Sequence, residues 1–450
     1  MKKNETQTGK YLSLSKRKRT FLEVSQGFSE RAAIKESNRC LQCASPTCIG
    51  GCPASVQIPN FIKEIREKNY SKSIEIIKQN NLLPAVCGRV CPQELQCEGA
   101  CILAKQNKAI KIGHLERFVG DKEQGVYFRE KTSTRRVAII GSGPAGITAA
   151  QFLAQRGCNV TVYETMQMLG GITKYGIPEF RLPHRIIDNE VEKLKGIGVE
   201  FKSSLSIGAD FNIDQISKDF DAVLITSGAG TPNKLKIPGE NLPGIISAMD
   251  FLTDINSMLP NNVKNPKKLR VKLGLGTHVI VVGAGNVAMD AARCAIRLGC
   301  RATIVYRKTE DEIPAREHEL KHSKEEGAKF KFLLNPVEII PDKKGRACKV
   351  RFEIMKPANT TENISATGKF RNIAADTVVV AIGQKPNYSA LKGTVVATDE
   401  KNRIKVNDKF ETAVPGIYAA GDCVLGSATV IQAIDQARKA AQNICNYLAI

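Results

Sequence analysis

The chain contains no run of about 18 uncharged apolar residues, the length a helix needs to cross bilayer hydrocarbon, so no membrane span is expected. The opening stretch MKKNETQTGKYLSLSKRKRT has none of the apolar character that directs secretion. A cytoplasmic protein is therefore expected, and with it the absence of the oxidising compartment that disulfides require. Acidic residues are scarce: 45 Asp and Glu face 66 Lys and Arg, a net charge of +21. The excess is dispersed, its densest run (Lys16, Arg17, Lys18, Arg19) reads as a solvated tail, and no nucleic-acid motif accompanies it.

What is present in abundance is cysteine within one short region. Cys40, Cys43, Cys48 and Cys52 form one run, closed by Pro53; Cys87, Cys91, Cys97 and Cys101 form a second, with Pro92 inside it. Tight spacing with a Cys-Pro step is the pattern of ferredoxin-type iron–sulfur ligation, in which the last cysteine of a run often serves the other cluster. Two [4Fe–4S] clusters are the reading. Zinc is the second reading, since it favours two separated ligand pairs closing one tetrahedral site, whereas each run here supplies four closely spaced thiols. Beside such centres, the positive charge suits an acidic redox partner such as a ferredoxin.

At 450 residues the chain has room for about three domains. Residues 28–83 lack alternating strand patterns, and Ile58, Phe61, Ile62 and Ile65 recur at helical spacing, so the cysteine region is expected to be a small helical domain. A polar stretch at 121–134 ends it. The apolar run at 135–140 then enters Gly141, Ser142, Gly143, Pro144, Ala145 and Gly146, followed by a helical pattern to Arg156 and a strand at 159–164 ending in Glu164. This is a complete βαβ dinucleotide fingerprint: glycines for the tight turn and close backbone approach, a helix N-terminus under the pyrophosphate, and an acid for ribose hydroxyls.

The arrangement recurs at 277–306 with Gly283, Gly285, Asn286 and Val287 in the loop. Here the second strand runs into Arg307 and Lys308 instead of an acid, and Arg316 follows closely. Bases at that position favour the 2′-phosphate of NADP(H) over NAD(H); the plainer alternative is that they are surface charges after a strand. Near the C-terminus, Gly421 and Asp422 follow small residues where an aspartate can meet the ribityl chain of a flavin.

Taken together, these segments resemble the two-dinucleotide-binding flavoproteins. Over residues 28–447 the chain resembles the glutamate synthase small (beta) subunit family, shared with the N-terminal half of dihydropyrimidine dehydrogenase and the large subunit of NADH-dependent ferredoxin:NADP oxidoreductase. The segments that carry the likeness are 83–92 (LPAVCGRVCP), 170–183 (GGITKYGIPEFRLP) and 283–290 (GAGNVAMD). The resemblance implies FAD on the first loop, NADPH on the second, and two [4Fe–4S] clusters within 1–134. It implies one cluster on Cys40, Cys43, Cys48 and Cys101, and the other on Cys52, Cys91 and Cys97. The fourth ligand of the second is open: Glu116 stands where dihydropyrimidine dehydrogenase has a glutamine, and Cys87 is its rival. The resemblance also places Gly171, within 170–178, and Thr429 and Val430 around the isoalloxazine, where a helix N-terminus would stabilise negative charge on reduced flavin.

Relatives that reduce disulfides carry a cysteine pair beside the flavin; here Cys158, Cys294, Cys300, Cys348, Cys423 and Cys445 are isolated in sequence and read as small, mostly buried hydrophobes. With that route closed, electrons are expected to leave through the clusters. The chemistry is the cofactors' own, so no acid–base dyad is expected. No N-terminal nucleophilic cysteine and no further barrel domain are evident, so a subunit of a larger enzyme is expected, with a large catalytic subunit or a ferredoxin-like protein as acceptor. A stand-alone reductase is the alternative enzyme; a scaffold without turnover is opposed by the intact loops and cysteines. The expected architecture is α/β: a helical iron–sulfur domain at 1–134, a flavin domain at 135–230 and 375–450, and the NADPH domain inserted at 231–374.

Overall fold

The computed structural model describes the chain except residues 1–5, 8, 124, 126, 130–132, 263–265, 359–363, 387–390, 392–393 and 395; the polar stretch at 121–134 is thus described only in part. Residues 28–120 form the helical unit. Its main helices are α1 (Glu30–Ser37), α2 (Ile58–Arg66), α3 (Tyr70–Lys78), α4 (Pro84–Val90) and α5 (Ile112–Gly120). Ser29 caps α1 by accepting from the Ala32 amide at 3.3 Å. Ile58, Phe61, Ile62 and Ile65 line the buried face of α2, as their spacing requires. Helices α4 and α5 lie in close contact because position 88 has no side chain: a Cβ there would sit 2.5 Å from the Arg117 amide nitrogen. The two cysteine runs occupy the irregular loops between α1 and α2 and between α4 and α5, with Cys87 on α4 itself.

The flavin-type unit follows as β1 (Arg136–Ile140), α6 (Pro144–Gln155), β2 (Asn159–Tyr163), α7 (His184–Gly196), β3 (Glu200–Lys202) and β4 (Ala222–Ile225). The second nucleotide unit contains β5 (Ile245–Ser247), β6 (His278–Val282), α8 (Asn286–Arg297), β7 (Arg301–Val305), α9 (Glu317–Glu326) and β8 (Lys329–Lys331). A meander β9 (Leu334–Pro341), β10 (Ala347–Pro357) and β11 (Ile364–Ala374) and the strand β12 (Thr377–Val380) come next, then β13 (Ile417–Ala419) and α10 (Val430–Leu448). Two five-stranded parallel sheets result, β13-β4-β1-β2-β3 and β5-β12-β6-β7-β8. In each, the strand before the glycine loop sits in the sheet interior, Val137 opposite Val160 in one and Val281 opposite Ile304 in the other. Their continuous apolar character suits burial on both faces by crossover helices.

Two expected boundaries move. Strand β12 pairs with β5 and β6, so the second unit closes beyond 375, and a two-residue antiparallel ribbon, Thr231–Pro232 with Gln384–Lys385, marks where the chain enters and leaves it. The apolar run at 377–380 cannot report which of two parallel sheets it completes. Nor do residues 1–134 form a single helical body. Phe21 and Val24 pack in the core of the second nucleotide unit, the Val24 amide donates to the Phe180 carbonyl at 2.9 Å, and Arg297 Nε donates to the Thr20 carbonyl at 2.9 Å. The segment before α1 is a strap over the nucleotide units.

Candidate cofactor and cluster sites

The first glycine loop turns at Gly141, where φ is +105° and a Cβ would meet the Thr226 carbonyl oxygen at 2.6 Å. Behind it, Gly146 brings α6 so close to the strand that a Cβ would lie 1.9 Å from the Gly141 carbonyl oxygen. Glu164, buried at the end of β2, accepts from the Ser142 amide at 2.9 Å and its hydroxyl at 2.6 Å, while Ser142 Oγ accepts from the Gly170 amide at 3.0 Å. One carboxylate thus holds the phosphate loop and, through Ser142, the loop of Gly170 and Gly171. Sequence reasoning had seen Glu164 only as a ribose acceptor; the role of Ser142 has no signal in a loop position where any small residue fits.

A cleft of about 510 Å³ collects these parts: Gly141, Gly143, Pro144, Ala145 and Glu164 from the first loop and strand, Gly171 from the next, and Asp422, Thr429 and Val430 from the C-terminal segment. The C-terminal segment reaches it because β13 joins the same sheet beside β4. Thr429 caps the 19-residue α10 in a reciprocal capping box with Gln432, and the Gly421 amide donates to Gln436 at 2.9 Å. Burial pushes the Asp422 carboxyl up to about 6. A dinucleotide cradle, a helix N-terminus and a partly buried acid at the opposite end fit a flavin dinucleotide.

At the second loop, Gly283 turns with φ of +119°, Gly285 is the N-cap of α8, and Asn286 and Val287 are its first residues. Arg307 is exposed at the end of β7, and Lys308 reaches Glu312 at 3.2 Å. Arg316 goes elsewhere. Its Nε donates to Glu94 at 2.9 Å and Nη2 donates to Gln93 at 2.6 Å, both in the second cysteine run, while its backbone amide donates to Asn286 Oδ1 at 3.0 Å. The expectation that Arg316 assists a 2′-phosphate is corrected on this geometry: the guanidinium is committed to a carboxylate 222 positions away in sequence.

No disulfide joins any of the fourteen cysteines. In the loops they fall into two sets. Cys40 and Cys48 feel Cys43 and Cys101, whereas Cys52, Cys87 and Cys97 feel Cys91 and Glu116. Burial, reinforced by neighbouring thiols, pushes Cys48 and Cys52 up to about 11. Glu116 is buried, and burial pushes its carboxyl up to about 8 despite a hydrogen bond from Asn81 Nδ2 at 2.8 Å. Cys87 donates to Oδ1 of the same Asn81 at 3.5 Å. Thiols and a carboxylate held in low dielectric are groups that want a cation. Among the described residues, no three Cys, His, Asp or Glu converge tightly enough for a single metal ion. Thiols in one set, and thiols with a carboxylate in the other, are donors of the kind that hold [4Fe–4S] clusters. Of the remaining cysteines, Cys158 and Cys445 lie near one another in the core, but burial pushes the Cys158 thiol up to about 12 and neither lines the flavin cleft.

Residues 135–442 match the family described as pyridine nucleotide-disulphide oxidoreductase, and residues 17–126 match dihydropyrimidine dehydrogenase domain II, 4Fe-4S cluster. The chain is 34% identical, over 96% of its length and 95% of the relative's, to the glutamate synthase [NADPH] small chain of Escherichia coli (strain K12). It belongs to the glutamate synthase small-chain family. Within that family likeness it is also 32% identical to the NAD-dependent dihydropyrimidine dehydrogenase subunit PreT of the same organism, over 95% of this chain and 97% of that one. The Mycobacterium tuberculosis protein FprA in complex with NADPH shares the fold, with a TM-score of 0.57 and 18% identity over 70% of this chain and 85% of that one. As a member of the glutamate synthase small-chain family, the protein is an oxidoreductase with FAD- and NAD(P)-binding domains and an iron–sulfur domain, and its role is that of an electron-transfer subunit. No helix among the described residues is long and apolar enough to cross a membrane.

Proposed function

We propose that the chain passes electrons from NADPH, through FAD and two [4Fe–4S] clusters, to the large catalytic subunit of a glutamate synthase. When bound, these groups supply hydride acceptance and its division into single electrons. Residues of the chain hold and tune them. Gly141, Gly143, Pro144, Ala145, Gly146 and Glu164 cradle the adenosine and phosphates of FAD, Asp422 faces its ribityl chain, and Gly171, Thr429 and Val430 surround the ring. Gly283, Gly285, Asn286 and Val287 receive the NADPH pyrophosphate, with Arg307 and Lys308 at the 2′-phosphate. Cys40, Cys43, Cys48 and Cys101 hold the first cluster; Cys52, Cys91, Cys97 and Glu116 hold the second, with Cys87 in reserve beside it.

The observation that carries this reading is one continuous core containing Cys87, Cys91 and Cys97 together with Ala145 and Ile431 from the walls of the flavin unit. Helix α4 also packs on α7 and α10, so the second cluster's loop and the flavin cleft are parts of one packed body. Buried thiols that share a core with the flavin walls are what transfer between the two groups requires. The likeness to PreT supports a second reading in which the partner is a dihydropyrimidine dehydrogenase subunit. Anaerobic titration with NADPH and then NADH, following flavin bleaching and cluster absorbance together, tests the path: NADPH is expected to reduce both chromophores, and no bleaching by either coenzyme refutes it. Reconstitution with each large subunit, read as glutamate or dihydropyrimidine formed, separates the two partners.

A further inference from the structure

The flavin cleft takes part of its wall from the other nucleotide unit. Met249, Asp250 and Thr253, on the helix Ala248–Asn262 that follows β5, line it together with Gly171, Ile172 and Tyr175. That helix is pinned to the flavin unit, because Asn256, fully buried, donates through Nδ2 to the Tyr175 carbonyl at 2.8 Å and the Ile177 carbonyl at 3.3 Å. Its first turn is closed by Ser247, whose hydroxyl donates to Asp250 Oδ2 at 2.6 Å and accepts from the Asp250 amide at 3.0 Å. The Asp250 carboxylate is thus fixed by its own helix start while it stays exposed at the cleft.

The order of the second sheet, β5-β12-β6-β7-β8, determines what reaches that wall. Its strands are all parallel, so their C-terminal ends share one edge, where open α/β sheets bind their ligands. Along that edge lie Arg307 after β7, Gly283 and Gly285 after β6, Ala381 after β12, and Asp250 after β5. The ends of β6 and β12 adjoin closely: a Cβ on Gly283 would meet the Ala381 carbonyl oxygen at 2.2 Å. A dinucleotide with its 2′-phosphate at Arg307 and its pyrophosphate at the glycine loop has crossed one strand spacing. Continued in the same direction it passes β12 and arrives at the start of the helix, three spacings or roughly 14 Å from β7. The end that arrives there is the nicotinamide, and it arrives at the cleft that the flavin unit shares.

Resting on the reading that NADPH binds the second loop and reduces FAD in this cleft, we infer that Asp250 and Thr253 hold the nicotinamide of the coenzyme, and that the Asp250 carboxylate favours its oxidised form. Thr253, three positions on and lining the same cleft, supplies a hydroxyl for the carboxamide. The reduced ring is neutral. When its C4–H bond breaks, the hydrogen leaves with both bonding electrons as a hydride for the flavin, and the ring left behind carries a positive charge. A fixed carboxylate beside the ring stabilises that charge as it develops. The 2′-phosphate does not change between the two states, so Asp250 separates oxidised from reduced coenzyme where Arg307 separates NADP(H) from NAD(H).

The test measures equilibrium binding of two probes to the full chain loaded with FAD and clusters: NADP⁺, whose ring is cationic, and tetrahydro-NADPH, an inert analogue whose ring is neutral. Asp250→Asn keeps the shape of the side chain and removes its charge. It should weaken NADP⁺ roughly tenfold and the neutral analogue less than about twofold, and weaken NAD⁺ by the same factor as NADP⁺. Arg307→Ala should instead weaken NADP⁺ and the analogue alike. A merely structural role for Asp250 would move both probes together, so an unchanged ratio of the two affinities overturns the inference. If Asp250→Asn fails to retain FAD, Thr253→Val replaces it and should weaken both probes roughly fivefold through the lost carboxamide bond; wild-type affinity in that variant overturns the inference equally. A wild-type chain that binds both probes but whose flavin NADPH does not bleach would sink the electron-transfer reading and leave the affinity ratios to decide the nicotinamide site. Binding of neither probe would overturn both.

Discussion

Asn81 donates through Nδ2 to Glu116 at 2.8 Å and accepts the Cys87 thiol on Oδ1 at 3.5 Å. One amide therefore separates the two candidates for the open position at the second cluster. The carboxylate is the strongest charge felt by both Cys52 and Cys97, while Cys87, which feels it too, is hydrogen-bonded to Asn81 and Cys91. Glu116→Ala is expected to lose about half of the chain's iron, and Cys87→Ala to retain all of it, measured by iron analysis and low-temperature EPR of the reduced protein. The reverse pattern would transfer the ligand role to Cys87.

Coenzyme choice should rest on Arg307 and Lys308. A charge-assisted hydrogen bond to a phosphate contributes roughly 1.5–3 kcal/mol, so Arg307→Ala is expected to raise the KM for NADPH about 10- to 100-fold and leave NADH nearly unaffected. Arg316→Ala should leave the NADPH-to-NADH ratio unchanged, because its guanidinium already serves Glu94 and Gln93. Steady-state dye reduction with each coenzyme decides it; a shift in that ratio for Arg316→Ala would return Arg316 to the phosphate.

Stability of the second nucleotide unit should depend on a buried ion network. Glu326 accepts from Arg297 Nη1 at 2.6 Å and from Arg293 at 3.0 Å, and all three side chains are almost fully buried. Arg293 also pairs with Glu319, which Arg181 of the flavin unit approaches at 3.1 Å; Arg181 donates to Asp290 at 2.6 Å. Removing one partner strands buried charge, at a cost of about 3–5 kcal/mol. Glu326→Ala should therefore lower the calorimetric unfolding temperature markedly, whereas Glu75→Ala, in the exposed pair with Lys72, should not. Equal effects from the two variants would remove the network from the account of stability.

Acid should loosen the fold before it protonates ordinary carboxylates. Burial, aided by Arg293, lowers His322 from 6.5 to about 4. Between those values the unfolded state holds the proton and the folded state does not, so stability rises with pH across the window and is lost as pH falls from about 6.5 to 4. The limiting contribution of this one residue is about 3 kcal/mol. His322→Gln should flatten the dependence of the thermal midpoint on pH in that window. An unchanged slope would assign the acid sensitivity to other groups, His184 first, which burial also lowers to about 4.

The strand, turn and helix of the two nucleotide loops were legible from the chain itself, because that geometry is local. Gly146 is dictated by the Gly141 carbonyl five residues before it and Gly141 by the positive φ of the turn itself, although the Thr226 carbonyl that also crowds Gly141 comes from β4's end. The grouping of Cys40, Cys43, Cys48 and Cys101 apart from Cys52, Cys91 and Cys97 came from family likeness, not from the spacing of the cysteines, and it stands as part of the proposal.

Other features depend on partners far along the chain. Strand β12 could have completed either sheet, since Thr377–Val380 is equally apolar toward both, and only its pairing with β5 and β6 placed it. The strap at Phe21 and Val24 falls within the span expected for the helical domain, and only the second nucleotide unit supplied the surface that it covers. Arg316 follows a basic strand end and was read as one more phosphate ligand. A guanidinium on a long flexible stem takes the nearest desolvated acid, and that acid, Glu94, is brought beside it only when the iron–sulfur unit folds against α9. Local backbone geometry was therefore determined by the sequence, and the partners of long charged side chains by the tertiary structure, because backbone turns are set by adjacent residues and charge pairing by whatever packing leaves within reach.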